Sequence, residues 1–371
     1  MNSDYMREAM ALARRGLALA TPNPMVGAVV VRDGEIAGRG FHTWEGVRHA
    51  EILALEEAGE RARGATLFVT LEPCSHTGRT PPCVEAIAAA GIAKVVVASG
   101  DPNPLVSGDG FAGLIRAGIN VETLPEFEAE AEQLNEPFFH FMRTRRPLVT
   151  LKSALTLDGK IAAPEDNTGW ITSERARAHV QELRHASDAI VTGIGTALSD
   201  DPLLTDRSAL PRARPLLRVV LDSTLRLPVE SRLVQSAHGD LLVVGTSAAS
   251  QERRRALENH GAEVKIFDGP RGRVDIQAVA AFLGERRCLS VMFEAGSKVN
   301  WAALECGAVD KVFLYYAPKI LGGLQSLPMA GGVGRMRRAD AIRLERTALH
   351  PIHPDEFAVE AWVHKDPVRR D

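Results

Sequence analysis

Four residues of this 371-residue chain are of types that bind a metal and move a proton: His49 and Glu51 in "HAE", and Cys74 and Cys83 in "LEPCSHTGRTPPC". One imidazole and two thiols make three protein ligands. That is the number a catalytic zinc takes while keeping a fourth position for water, and zinc lowers the pKa of that water to about 7. A closed structural site needs a fourth ligand, for which His42 and His76 are the nearby candidates. Glu51 lies too close in sequence to His49 to share the metal easily, but it can lean over the bound water, as a general acid/base must to carry a proton to a leaving amine. Cys83 opens a helix, whose dipole favours a thiolate. The anomaly is the spacing, because eight residues separate the cysteines where short zinc knuckles use two to four.

His49-Ala50-Glu51, followed by Glu72-Pro73-Cys74 after an apolar strand, fits the H-x-E…P-C pattern of zinc nucleobase deaminases, with the second cysteine late. With "TPNPMVGAVVV", "TLEPCSHTGRTPPC" and "DPNPLVSGDG", the chain resembles the bacterial bifunctional deaminase/reductase family of riboflavin biosynthesis over essentially its whole length. The resemblance implies that His49, Cys74 and Cys83 bind one zinc ion and that Glu51 is the proton shuttle. The implied substrate is 2,5-diamino-6-ribosylamino-4(3H)-pyrimidinone 5′-phosphate, losing its 2-amino group as ammonia. A free nucleotide needs a phosphate anchor, and the insert offers Ser75, His76, Thr77, Arg79 and Thr80 beside the metal, with Arg79 able to fork onto phosphate oxygens. The Asn23 amide, in a Pro-flanked turn, suits the polar edge of a pyrimidine, and His42 ends a strand just before "HAE". Asp101 and Asn103 follow a strand end, where α/β sites collect, although turn formation explains them equally well.

The second half has no G-x-G-x-x-G after a strand; "TGIGTALSDDP" contains only G-x-G, which is weak. Here "SALTLDGKIA", "WITS", "TGIGTALSDDPLLTDR" and "EAGSKVNWAAL" look like the family's dihydrofolate-reductase-like domain, which uses NADPH to reduce the ribosyl side chain to ribityl. The product implied is 5-amino-6-ribitylaminouracil 5′-phosphate. By that resemblance Ala154, Trp170, Thr196, Asp200, Ser223 and the run Gly296, Ser297, Lys298, Val299, Asn300, Trp301 and Ala302 contact NADPH. Thr168, Arg184, Leu204, Arg207 and Glu294 face the substrate, with Arg184 and Arg207 as the natural phosphate partners. Lys152 could donate to the sugar oxygen being reduced. The bland alternatives are Trp170 as core filler and Arg184 as a helix-surface charge.

These residues need elements to hold them. Strands and helices alternate through both halves, which predicts two different α/β domains with largely parallel sheets. The first is a cytidine-deaminase-like α/β/α domain over residues 1–145, and the second a dihydrofolate-reductase-like α/β domain over 146–371, joined at "RTRRPL". The pattern predicts a helix over Asp4–Ala18 with Met6, Met10, Ala13 and Leu17 on one face, and a hairpin turning at Asp33-Gly34. It also predicts a helix from "HAE" burying Ile52, Leu53 and Leu55, and one unbroken helix through "EFEAEAEQLNEPFFHFMRT". Hydrophobic residues at 45% and charged at 25% are an ordinary globular mix, and a net charge of -3 with no Lys/Arg block argues against nucleic acid and for a small-molecule partner. No apolar run reaches a membrane span, and the charged N-terminus lacks a signal-peptide core, so a cytoplasmic protein is expected. Four cysteines are no disulfide framework, and Cys288 and Cys306 read as small buried hydrophobes. Self-association into a homo-oligomer stays open. The competing readings are a monofunctional zinc nucleobase deaminase with a non-catalytic accessory domain, a nucleic-acid deaminase, and a zinc-stabilised binding module. Only the last needs a fourth ligand and no work for Glu51.

Overall fold

The structure, a computed structural model, describes residues 2–78, 80–103, 107–165 and 168–365. The chain forms two compact units: Met1–Arg146 with Pro211–Arg214, and Pro147–Leu210 with Pro215–Asp371.

The first unit runs α1 (Asn2–Arg14), β1 (Gly27–Arg32), β2 (Glu35–Phe41), α2 (Ala50–Ala58), β3 (Thr66–Leu71), α3 (Cys83–Ala89), β4 (Lys94–Ser99), α4 (Asp109–Arg116), β5 (Asn120–Thr123), α5 (Glu128–Leu134) and α6 (Glu136–Thr144). Its sheet has the order β2-β1-β3-β4-β5. The strand period of two buries both faces: Ala28 and Val30 meet Ala50, Ala54 and Ile87 on one side, while Val29 and Val31 meet Met6 and Met10 on the other. The sheet is mixed rather than largely parallel, because the hairpin β1–β2 and the β1–β3 pair are antiparallel and only β3-β4-β5 run together. The hairpin turns where expected, with Asp33 and Gly34 both left-handed at φ 52° and 80°.

Other boundaries moved for local reasons. Helix α1 stops at Arg14, which leaves Leu17 38% exposed beyond its end. Helix α2 tightens into a 3₁₀ turn at Gly59 and buries Ala50, Glu51, Ala54, Leu55 and Ala58; Ile52 and Leu53 are only half-buried. It lies on the glycines of β2, where a Cβ at Gly38 or Gly40 would sit 2.1 Å from the carbonyl oxygen of Ala54 or Ala50. The expected C-terminal helix breaks at Asn135, ahead of Pro137. Asn135 instead exchanges two hydrogen bonds with the Met25 backbone (2.7 and 2.9 Å) and so anchors the Asn23 loop.

The second unit runs β6 (Leu148–Thr156), β7 (Lys160–Ala162), α7 (Glu174–His185), β8 (Ala189–Gly193), α8 (Ile194–Asp200), β9 (Leu217–Leu221), α9 (Arg232–Gln235), β10 (Leu241–Gly245), α10 (Gln251–Asn259), β11 (Glu263–Ile266), α11 (Ile276–Glu285), β12 (Ser290–Phe293), α12 (Ser297–Glu305), β13 (Lys311–Ala317), β14 (Leu327–Pro328), β15 (Leu344–His353) and β16 (Glu356–Val363). The main sheet has the order β11-β10-β9-β8-β12-β6-β13-β16-β15. It is parallel from β11 to β13, with β16 and β15 added antiparallel. Strand β15 escapes a sequence reading because it is an edge: most of it is exposed and it carries Pro351, which an edge tolerates. Cys288 is buried, but Cys306, just past α12, is exposed and not the buried hydrophobe expected.

Candidate active sites

In the first unit His49 is the extended N-cap residue of α2, Cys74 follows β3, and Cys83 is the first residue of α3. Their ligand atoms all lie within 4.8 Å of one another. His49 Nδ1 is 3.1 Å from Cys83 Sγ and 3.5 Å from Cys74 Sγ. A tetrahedral ion with Zn–S of ~2.3 Å and Zn–N of ~2.0 Å sets its ligand atoms ~3.5–3.8 Å apart, so the three donors fit zinc with little adjustment. The charges agree with this. Donation from Cys83 and His49 lowers the Cys74 thiol, whereas the hydrogen bond to Cys74 and burial raise Cys83, as expected of two thiols crowded together where a cation would favour both thiolates. The Cys83 backbone N–H also donates to Cys74 Sγ (3.4 Å).

Glu51, one residue inside α2, is 4% exposed, and burial raises its carboxyl. It stands against the cluster, with Cys83 as a hydrogen-bond partner. Neither candidate for a fourth ligand joins the group: His42 has Nδ1 on the Arg48 carbonyl (2.9 Å) and Nε2 on Asn23 Nδ2 (2.9 Å), and His76 is exposed. The His42 ring meets His49 edge-on at 5.4 Å, which brings Asn23 and His42 to the metal cluster. Thr80 Oγ1 lies 3.4 Å from His49 Nε2, on the side away from the thiols. Arg79 lies outside the described residues.

Sequence reasoning passed over Glu72. Its carboxylate is 4% exposed and accepts the backbone N–H groups of Asp101, Gly108, Gly110 and Phe111 (3.0–3.2 Å). This fastens the segment bearing Asp101 and Asn103, and the start of α4, to the residue before Pro73-Cys74. The signal was present: a carboxylate directly after an apolar strand, buried from Leu67 to Leu71, must find donors. Burial pushes Asp101 up to about 6, and its Oδ1 accepts the Asn103 N–H (2.8 Å).

In the second unit several candidates sit just past the C-terminal ends of parallel strands, where open α/β sheets bind ligands: Thr196 after β8, Ser223 after β9, and Glu294 and Gly296 after β12. Glu294 follows β12 and is held between two cations. Lys152 Nζ of β6 donates to Oε1 (3.1 Å), while Arg184 Nε and Nη2 donate to Oε2 (3.1 and 2.9 Å). Arg184 is 8% exposed and also donates to the Thr205 carbonyl (3.0 Å), so it is no surface charge. Leu204 is buried; Arg207 and Thr168 are exposed. Trp170 is no core filler either: it is 69% exposed, with the Arg177 guanidinium 4.7 Å over its ring.

Gly296 precedes α12, and a Cβ there would meet Thr196 Oγ1 at 3.2 Å, so α8 and α12 begin side by side. A glycine at a helix start, with a hydroxyl facing it, suits a phosphate-bearing cofactor. Ser297 Oγ is buried there with no partner among the described residues. Asn300 is wholly buried and spends its Nδ2 on the Met329 carbonyl (2.9 Å). Ala154 and Ser223 are half-buried, and Asp200 is exposed at the end of α8.

Residues 147–355 match the family described as the RibD C-terminal domain, and residues 1–99 the cytidine and deoxycytidylate deaminase zinc-binding region. The chain is 43% identical to the riboflavin biosynthesis protein RibD of Actinobacillus pleuropneumoniae, over 95% of this chain and 93% of that one. It is 41% identical to the Escherichia coli (strain K12) protein of the same name, over 95% and 96%. Among solved structures it resembles Acinetobacter baumannii RibD (TM-score 0.86, 36% identity, 98% and 99% of the two chains). It also resembles a Thermotoga maritima diaminohydroxyphosphoribosylaminopyrimidine deaminase/5-amino-6-(5-phosphoribosylamino)uracil reductase (TM-score 0.82, 35% identity, 98% and 99%).

Proposed function

The chain belongs to the bifunctional deaminase/reductase family of riboflavin biosynthesis, and from that premise we propose how its own residues divide the two reactions. The observation that carries the reading is the three-donor cluster with a buried carboxyl against it. His49 Nδ1, Cys74 Sγ and Cys83 Sγ would hold zinc, which when bound supplies an acidified water. Glu51 takes the proton from the attacking water and delivers it to the departing amino nitrogen, which leaves as ammonia. Its raised carboxyl suits both halves of that relay. Asn23, set by His42, presents its amide to the pyrimidine ring, and Thr80 orients the His49 imidazole.

In the second unit NADPH, when bound, supplies the hydride. Gly296–Ala302, Thr196 and Ser223 line its place, with Ala154, Trp170 and Asp200. Lys152 Nζ, fixed by Glu294, donates to the sugar oxygen being reduced. Arg184 has its guanidinium on Glu294 and Thr205, which leaves Arg207 as the better partner for the substrate phosphate. The domain division follows the chemistry, with residues 1–145 carrying deamination and 146–371 reduction.

The substrate is a free pyrimidine nucleotide rather than nucleic acid. A reducing cytoplasm is the compartment that keeps two thiol ligands available. Among the described residues no helix is long and apolar enough to cross a membrane. Two variants test the assignment. Glu51→Ala should stop ammonia release while NADPH-dependent reduction of the deaminated intermediate continues, and Lys152→Ala should do the reverse. A wild-type rate from either variant in its own reaction removes that residue from the mechanism.

A further inference from the structure

We infer that Arg218 is a positioning residue for the reductase: it holds loop 203–207 in the shape that presents Leu204 and Arg207 to the substrate. The inference rests on the reading of those two residues as substrate contacts. Arg218 lies inside β9 and is 1% exposed. Its Nη1 donates to the Leu203 carbonyl (3.2 Å) and the Ser236 hydroxyl (2.8 Å), and its Nη2 to the Ser236 carbonyl (2.9 Å) and Asp240 (2.8 Å). Two residues further along the loop, Arg184 Nη1 donates to the Thr205 carbonyl (3.0 Å). Buried guanidinium groups therefore grip the carbonyls on both sides of Leu204.

Leu204 itself is left-handed at φ 52°, with its side chain buried. That conformation is disfavoured for a side chain of this kind and persists only where the surroundings over-determine it. The grip continues downstream: His185 Nδ1 pairs with Asp206 Oδ2 (2.8 Å), and Gln181 Oε1 accepts the Arg207 N–H (3.0 Å). The exposed side chain of Arg207 thus leaves a loop held at the Leu203 and Thr205 carbonyls, at the Asp206 carboxylate and at its own N–H. An arginine buried in a central strand is a costly way to fill space, since apolar residues of similar volume usually serve stability as well or better. What the fork supplies, and an apolar side chain cannot, is a link from Asp240 and Ser236 to the Leu203 carbonyl. Lysine, a single point of donation, cannot span those partners.

The test uses the full chain, with NADPH and the deaminated intermediate as reductase substrates and deamination as an internal control. Arg218→Lys should raise KM for the intermediate about tenfold, the loss of one charge-assisted hydrogen bond, with kcat, KM for NADPH and the deaminase rate unchanged. An unchanged KM for the intermediate overturns the inference. So does a parallel fall in kcat, NADPH affinity and thermal midpoint, which marks a merely structural residue. Arg207→Ala separates the two layers: if it leaves KM for the intermediate unchanged, the substrate reading of the loop fails whatever Arg218 does. Hydrogen exchange of the unaltered protein needs no variant. The Arg207 amide, whose N–H donates to Gln181 Oε1 (3.0 Å), should exchange far more slowly than in an unstructured peptide, and exchange at that peptide's rate overturns the fixed loop.

Discussion

A buried carboxyl beside three metal-type donors has little to do in a structural site. Glu51 is kept out of water, and that burial raises its carboxyl, the kind of perturbation that collects where protons are moved. Glu51→Gln should therefore keep one zinc per chain by metal analysis while the deamination kcat falls about 10²–10⁴-fold. A second residue makes a pH prediction. Burial alone raises Glu294, but the charges of Lys152 and Arg184 hold it at about 2, below its ordinary 4.5. A depressed carboxyl contributes stability that is complete above its unfolded value and is lost as the pH falls through its folded value. The Tm gap between wild type and Glu294→Gln should stay constant from about pH 8 to about pH 5, then close between 4.5 and 2. A gap that persists at the acid end takes the two ion pairs out of the stability. Residue types and order were enough to pick out His49, Glu51, Cys74 and Cys83. They were not enough for Glu72 or Arg218, because a lone charge in a sequence does not say which backbone groups it will meet.

Elements aim these side chains, and they do so through close approaches. Helix α2 carries His49 and Glu51 and rests directly on β2, with no room for a Cβ at Gly40 against the Ala50 carbonyl. Gly40→Ala should destabilise the first unit by about 1–3 kcal/mol through overpacking and weaken zinc retention, while reduction is untouched. Thermal unfolding and metal content check this, and an unchanged metal content would mean that the start of α2 tolerates the shift. Glu72 works at the same scale, since one carboxylate collects four backbone N–H groups from the 101–111 segment. Glu72→Gln replaces an acceptor by a donor and should cost about 1–3 kcal/mol and raise KM for deamination. Equal KM values would show that this segment does not touch the substrate. The apolar period located α2 and its buried Leu55, but not the alanines that make up most of its buried face. The glycines of β2 draw the helix so near that Ala50, Ala54 and Ala58 are buried in preference to Ile52 and Leu53.

At the scale of the whole molecule the chain carries two chemistries on two cores, each a sheet buried on both faces. A chelator that strips the metal should abolish deamination, leave reduction of the deaminated intermediate at its starting rate, and be reversed by added zinc. Loss of both activities in a folded protein would refute separate sites. The order of the longer strands and helices, the hairpin at Asp33-Gly34 and the ligand-bearing strand and helix ends were legible in the sequence, because short-range periodicity and turn chemistry are written residue by residue; the short β7, α8, α9 and β14 span too few residues to show a period. The mixed pairing of the first sheet, the exposed edge strand β15 and the break at Asn135 were not, because each depends on a partner distant in the chain. The long interval between Cys74 and Cys83 shows the division most plainly. Sequence order makes it a poor zinc motif. The tertiary structure brings the end of β3, the start of α3 and the start of α2 together so that the donors lie within 4.8 Å, and it is that three-dimensional distance, not the spacing along the chain, that a metal reads.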